Sequence, residues 1–161
     1  MDDLIRTAAE AAEADALPRL HEVHSDATQR NAAQQAVPKG MTNTPVSKKS
    51  SAQWAYERVV LYLKNFEEQL DGDQEVAMGF TGGDAGVLRI EGMGYFDPDI
   101  VTFYGQDGGG GRMQLVQHVS QLNVALRALP KAKPEKPANR IGFRLVEDIE
   151  ADAALTQTKN T

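Results

Sequence analysis

The sequence predicts an α+β domain: an N-terminal amphipathic helix followed by a small, strongly bent antiparallel sheet or barrel, flanked by disordered tails. Three observations predict it. Between Gly86 and Leu122, strand-like runs alternate with turn chemistry. One stretch of helical period, residues 52–70, precedes them. Outside residues 51–146 the chain is mostly polar or alanine-rich. The domain boundaries follow: a disordered or partly helical tail over residues 1–50, one domain over 51–146, and a disordered acidic tail over 147–161.

In chain order, residues 2–16 suit a short alanine-rich helix with a thin apolar face, and residues 24–50 read as a linker. Ser50 or Ser51 can cap the next helix by accepting a backbone N–H. In that helix Ala55, Val59, Tyr62, Phe66 and Leu70 step by three or four, with Tyr56, Val60 and Leu63 beside them. Glu57, Arg58, Lys64, Glu67 and Glu68 then take the solvent side, and Asp71-Gly72 ends the helix.

The period then changes. Residues 75–80 form a strand, and the glycine-rich stretch 81–86 a turn. The next strand, 87–96, puts Leu88, Ile90 and Phe96 on one face. Gly92 and Gly94 lie in that phase and point to a bend or bulge. Asp97-Pro98-Asp99 turns the chain into a strand over 100–104. A hairpin loop over 105–111 leads to a strand over 112–119. A short helix from Ser120 to Leu129, a proline-punctuated basic connector and a last strand at Ile141, Phe143 and Leu145 complete the order α-β-β-β-β-α-β.

At 161 residues one domain is expected, and its core is small enough for oligomerisation to add useful burial. No cysteine is present, so disulfides and thiolate metal sites are excluded. No apolar run is long enough to span a bilayer, and the acidic N-terminus is unlike a secretory signal, so a cytoplasmic location is expected. The net charge of −6 argues against indiscriminate polyanion binding. Its distribution is uneven: Arg127, Lys131, Lys133, Lys136, Arg140 and Arg144 face only Glu135 within residues 127–144.

The candidate sites are few. Gly108–Gly111 lacks the lysine and following helix of a phosphate loop and reads as a hairpin. His21 and His24 have a shared-face spacing but no third ligand nearby, so no metal or cofactor is expected. Asp97 and Asp99 flank a proline, where aspartates form turns; an enzyme would require them to converge with Glu91 and His118 for acid–base work. His118 ends a strand beside Gln114, Gln117 and Gln121, and is either a structural histidine or a group that reads a base or organises an interface. The candidate binding residues are therefore Gln117 and His118, with Arg127, Lys131, Lys133, Lys136 and Arg140 for phosphate contact.

Four motifs carry a resemblance: W-A-Y-E-R (Trp54–Arg58), G-Y-F-D-P-D (Gly94–Asp99), Q-L-V-Q-H-V-S-Q-L (Gln114–Leu122) and R-I-G-F-R-L (Arg140–Leu145). Over residues 51–146 the chain resembles a bacterial domain family of unknown function, DUF6173, which implies no activity. In the order of G-V-L-R-I-E, Tyr95-Phe96-Asp97, the 100–104 strand, Asp107-Gly108 and Gln117-His118 it is also similar to Sm-like proteins, including the Hfq RNA chaperone. That similarity implies a helix before a five-stranded bent barrel, assembled as an RNA-binding ring. Gln117 stands where the Hfq pattern has a lysine.

These observations converge on a non-catalytic binding or assembly module. One form is an Sm-like homo-oligomer that binds RNA; the other is a protein-interaction adaptor without nucleic-acid binding. The adaptor requires an exposed apolar or aromatic patch.

Overall fold

The computed structural model describes residues 22–26, 39–42, 48–80 and 86–159. The expected helix at 2–16, His21 and most of the 81–86 turn lie outside the described residues. The chain divides into two compact units, Ser50–Asp148 and Met1–Lys49 with Ile149–Thr161.

Helix α1, Ser51–Glu68, starts where Ser50 accepts the Gln53 N–H, at 3.0 Å. Five strands follow without interruption by an α-helix: β1 Gln74–Phe80, β2 Val87–Phe96, β3 Ile100–Gln106, β4 Arg112–His118 and β5 Val124–Pro130. Helix α2, Ile141–Lys159, closes the described chain. All neighbouring strands are antiparallel, in the order β4-β3-β2-β1-β5.

The sheet is bent and open. β2 pairs with β1 only at Val87 and Leu88, and with β3 from Arg89 to Phe96. β4 and β5 are the two edges, yet only residues 119–123 join them. A flat five-stranded sheet holds its edge strands about 19 Å apart. A connector whose first turn is the 3₁₀ helix Val119–Gln121 reaches about 17 Å at most. The sheet must therefore curl until the His118 end of β4 approaches the Val124 end of β5.

α1 lies against β1, β2 and β3. The core combines Tyr56, Val60 and Leu63 of α1 with Val76, Met78, Leu88, Ile90, Met93, Val101 and Phe103 of the sheet. Phe80 meets the Phe103 ring edge-on at 5.2 Å.

The structure upholds the α+β class and the helix-then-antiparallel-sheet layout, and changes the last elements. The expected helix over 120–129 is one 3₁₀ turn followed by β5, because Val124, Leu126 and Leu129 complete a ladder with β1. The expected strand at 141–145 and the expected disordered tail from 147 are both part of α2, where Ile141, Leu145, Val146 and Ile149 form a helical stripe. In the expected tail before residue 51, Lys39–Thr42 is a helical turn whose Met41 is buried and accepts the Lys49 amine at 2.6 Å.

Two side-chain phases also differ. On α1 the buried stripe is Tyr56, Val60, Leu63 and Glu67, while Tyr62 is exposed; Glu57 and Glu67 are buried rather than solvated. On β2 a bulge between Ile90 and Gly92 inserts one residue, so Met93 turns inward and Phe96 outward, 75 % exposed.

Candidate functional site

The turn Asp97-Pro98-Asp99 is a junction of three elements. Pro98 O accepts the Ala52 N–H at 2.9 Å, and the Asp97 carboxylate accepts the Ser50 hydroxyl, so the turn holds the start of α1. Asp99 O accepts the Val119 N–H at 2.9 Å and fixes the 3₁₀ turn.

His118 ties the same point together. Its Nδ1 accepts the Ser120 N–H at 3.1 Å and lies 2.7 Å from Ser120 Oγ. A ring nitrogen that accepts carries no proton, so Nε2 holds it and donates to Asp99 Oδ2 at 3.0 Å. The Gln121 amide oxygen accepts the His118 N–H at 3.2 Å, completing a reciprocal cap.

Hydroxyl, imidazole and carboxylate thus stand in the order of a nucleophile, a base and an orienting acid. Acyl transfer also needs backbone donors for an oxyanion. The amides nearest the hydroxyl are already used: Ser120 N–H by the imidazole and Val119 N–H by the Asp99 carbonyl. The bonds these side chains make cap the 3₁₀ turn. Asp99 and His118 do converge, Asp97 is engaged by α1, and Glu91 lies at the bulge on β2. His24 pairs with Glu22 at 3.2 Å, and no cluster of three metal-ligating side chains occurs among the described residues.

The remaining predicted binding residues lie on β4, on β5 and in the connector that follows it. Gln117 points to the core face of β4 opposite Val101, its Oε1 buried without a hydrogen-bond partner. Arg127 is exposed on β5, opposite Ala77. β5 then carries the chain about 20 Å from its first residue before Lys131 is reached.

The basic connector is strapped down rather than free. Arg140 donates to Gln74 O at 2.7 Å and Asp71 O at 2.9 Å, and Lys131 lies 3.8 Å from Asp73. Glu75 accepts the Asn139 N–H at 3.0 Å and faces Arg89 at 3.4 Å. Lys133 and Lys136 stay on the surface. Of the five predicted cations, Arg140 and Lys131 thus make contacts with residues 71–74, in the α1–β1 turn and at the start of β1.

Sequence reasoning missed Glu67. Only 2 % exposed, it accepts the Gly142 N–H at 2.8 Å and the Phe143 N–H at 3.3 Å, capping α2 from another helix. Burial raises its pKa; the two amides and Arg140 oppose that rise. The signal was its i+4 spacing from Leu63 within the buried stripe. The motif R-I-G-F-R-L, read as a strand, is this capped helix start.

A family model for DUF6173, a family of unknown function, matches residues 47–144. The chain belongs to the DUF6173 family. The DUF6173 match runs from the residues before α1 through the start of α2, so it includes the His118 junction, the basic connector and the Glu67 cap. No curated protein and no solved structure matches the chain. No described helix is long and apolar enough to cross a membrane.

The outward face beyond the core is uneven. Phe96 is 75 % exposed, Val116 58 % and Tyr104 41 %. Ladder partners place Phe96, Ile100 and His118 in one row and Gly94, Thr102 and Val116 in the next. Tyr104 lies over Gly92, where a Cβ would meet its ring at 3.6 Å. These residues form an apolar surface on the β2–β3–β4 side.

Proposed function

We propose that this DUF6173 domain is a non-catalytic binding and assembly module, acting in the cytoplasm through the β3–β4 side of its sheet. The observation that carries this is the exposed apolar surface of Phe96, Tyr104 and Val116 beside an unpaired sheet edge. Exposed apolar area next to unpaired backbone groups is suited to protein association. It is unsuited to phosphate contact, which needs convergent cations.

A second reading, an Sm-like RNA-binding ring, is favoured by the element order. One helix followed by five antiparallel strands is the layout the Sm-like resemblance implies. Against it stand the contacts that already engage Arg140 and Lys131.

Light scattering of the full chain, with and without total RNA at low and moderate salt, separates the two. A species heavier than one chain that ignores RNA is the expected result. Uptake of RNA at low salt, released at higher salt, would replace the first reading with the ring. A monomer that ignores RNA at every concentration would overturn both.

A further inference from the structure

We propose that β4 is a homotypic docking edge, and that two copies of this chain join β4 to β4 about a two-fold axis at Gln114. This rests on the assembly reading above and specifies its surface.

The free backbone groups can be assigned. Val119 N–H donates to Asp99 O, and Asp107 N–H to Gly111 O, at the two ends of the β3–β4 ladder. Antiparallel ladders alternate hydrogen-bonded and non-hydrogen-bonded pairs. With Ile100 opposite His118, the β4 residues bonded to β3 are Met113, Leu115 and Gln117. The backbones of Arg112, Gln114, Val116 and His118 face away. His118 N–H is taken by Gln121, leaving Arg112, Gln114 and Val116 with both donor and acceptor unpaired among the described residues.

This edge has none of the usual protection. Sheets guard edges with proline, lysine, bulges or very short strands. β4 is seven residues long, pairs with β3 in unbroken register, and carries no charge between Arg112 and His118. The opposite edge is guarded: Pro130 of β5 has no N–H, its carbonyl accepts Arg89 at 3.1 Å, and Arg127 stands mid-strand.

The occupant follows from self-complementarity. A two-fold axis normal to the sheet preserves its faces, and outward-facing backbone must meet outward-facing backbone. Centring on Gln114 places Gln114 opposite the partner's Gln114 and Arg112 opposite the partner's Val116, in both directions. Both backbone groups of Arg112, Gln114 and Val116 are then used. On the core face, Met113 stands opposite the partner's Leu115, again twice, in the close non-hydrogen-bonded positions. Both side chains are half-buried in one copy and would be covered. Arg112 lies one diagonal step from the partner's His118, which holds the partner's Asp99.

The test uses the full chain and its mass in solution. Wild type is expected at twice the 17.5 kDa chain mass. Gln114→Glu and Gln114→Lys each set like charges opposite one another across the axis and should weaken the dimer several-fold; mixing the two variants should restore it. Val116→Pro removes an N–H that faces away from β3 and should give a monomer that still unfolds cooperatively, whereas Ala128→Pro, its counterpart on β5, should remain dimeric. A wild-type monomer would overturn the assembly reading itself. A dimer indifferent to the Gln114 and Val116 changes, or a larger ring broken by Ala128→Pro, would overturn the β4 interface alone.

Discussion

Replacing Glu67 by alanine removes the only side chain shown capping the start of α2. The carboxylate accepts two backbone N–H groups, at 2.8 and 3.3 Å, and is 2 % exposed. Loss of a helix N-cap costs about 1 kcal/mol. Leaving a buried N–H without an acceptor costs about 1–3 kcal/mol, and removing a carboxylate held away from water returns part of that. The expected net loss is about 2 kcal/mol, or a fall in Tm of about 10 °C for a domain of this size. Urea unfolding read by the single tryptophan, Trp54, which is buried in α1, measures it. Glu67→Gln keeps an acceptor oxygen and should lose less than half as much. The raised pKa adds a sign. The folded state binds this proton more tightly than the unfolded chain, so its contribution is complete at low pH and is lost as pH rises through the folded value. Wild type should therefore lose stability relative to Glu67→Gln as pH rises above the ordinary glutamate range. An alanine variant within about 0.5 kcal/mol of wild type would refute the capping role, since that is the scatter of neutral surface changes. A difference from glutamine that is flat with pH would refute the burial effect.

Three further comparisons probe the rest of the fold. Gly142→Ala would place a Cβ 2.6 Å from Lys64 N and 2.8 Å from Leu63 C, both backbone atoms, and should cost about 3 kcal/mol in urea unfolding. Met93→Ala should cost about 3 kcal/mol while Phe96→Ser costs under about 0.5, because the bulge turns the first inward and the second outward; the reverse order would place the bulge wrongly. His118→Ala should cost about 1 kcal/mol and speed amide exchange at Val119 and Ser120, with no added loss when Asp99 is also changed to Ala; fully additive losses would break the capping unit apart.

Local chemistry made much of the domain legible. Ser50 before a run of helical period starts α1, and alternating β-formers bounded by glycine and Asp-Pro mark β1 to β4 close to their observed limits. Asp107 shows why the glycine-rich loop reads correctly: its carboxylate accepts the Gly109 and Gly111 N–H groups and closes a hairpin. The misread elements are those whose apolar spacing fits two periods. Leu122, Ala125, Leu126 and Leu129 fit a helix, while Val124 and Leu126 alternate as in a strand. Ile141, Phe143 and Leu145 alternate, while Ile141, Leu145 and Ile149 step by four. The first set became a strand because β1 offered an unpaired edge. The second became a helix because Glu67 and the Leu63–Lys64 backbone receive its first turn.

The candidate site divides in the same way. Sequence alone determined which residues carry charge and hydrogen-bonding capacity, where the turns fall, and that His118 stands beside acceptors and amides. Whether those groups meet was decided by tertiary structure. One bulge at Glu91 reverses the facing of every later β2 residue, and so puts Phe96 on the surface. The carbonyls of Asp71 and Gln74 and the Asp73 carboxylate engage Arg140 and Lys131, which are far from them in sequence. Periodicity and turn chemistry are local properties of a chain. Convergence depends on strand pairing and register between residues far apart in sequence, and only the assembled sheet fixes those.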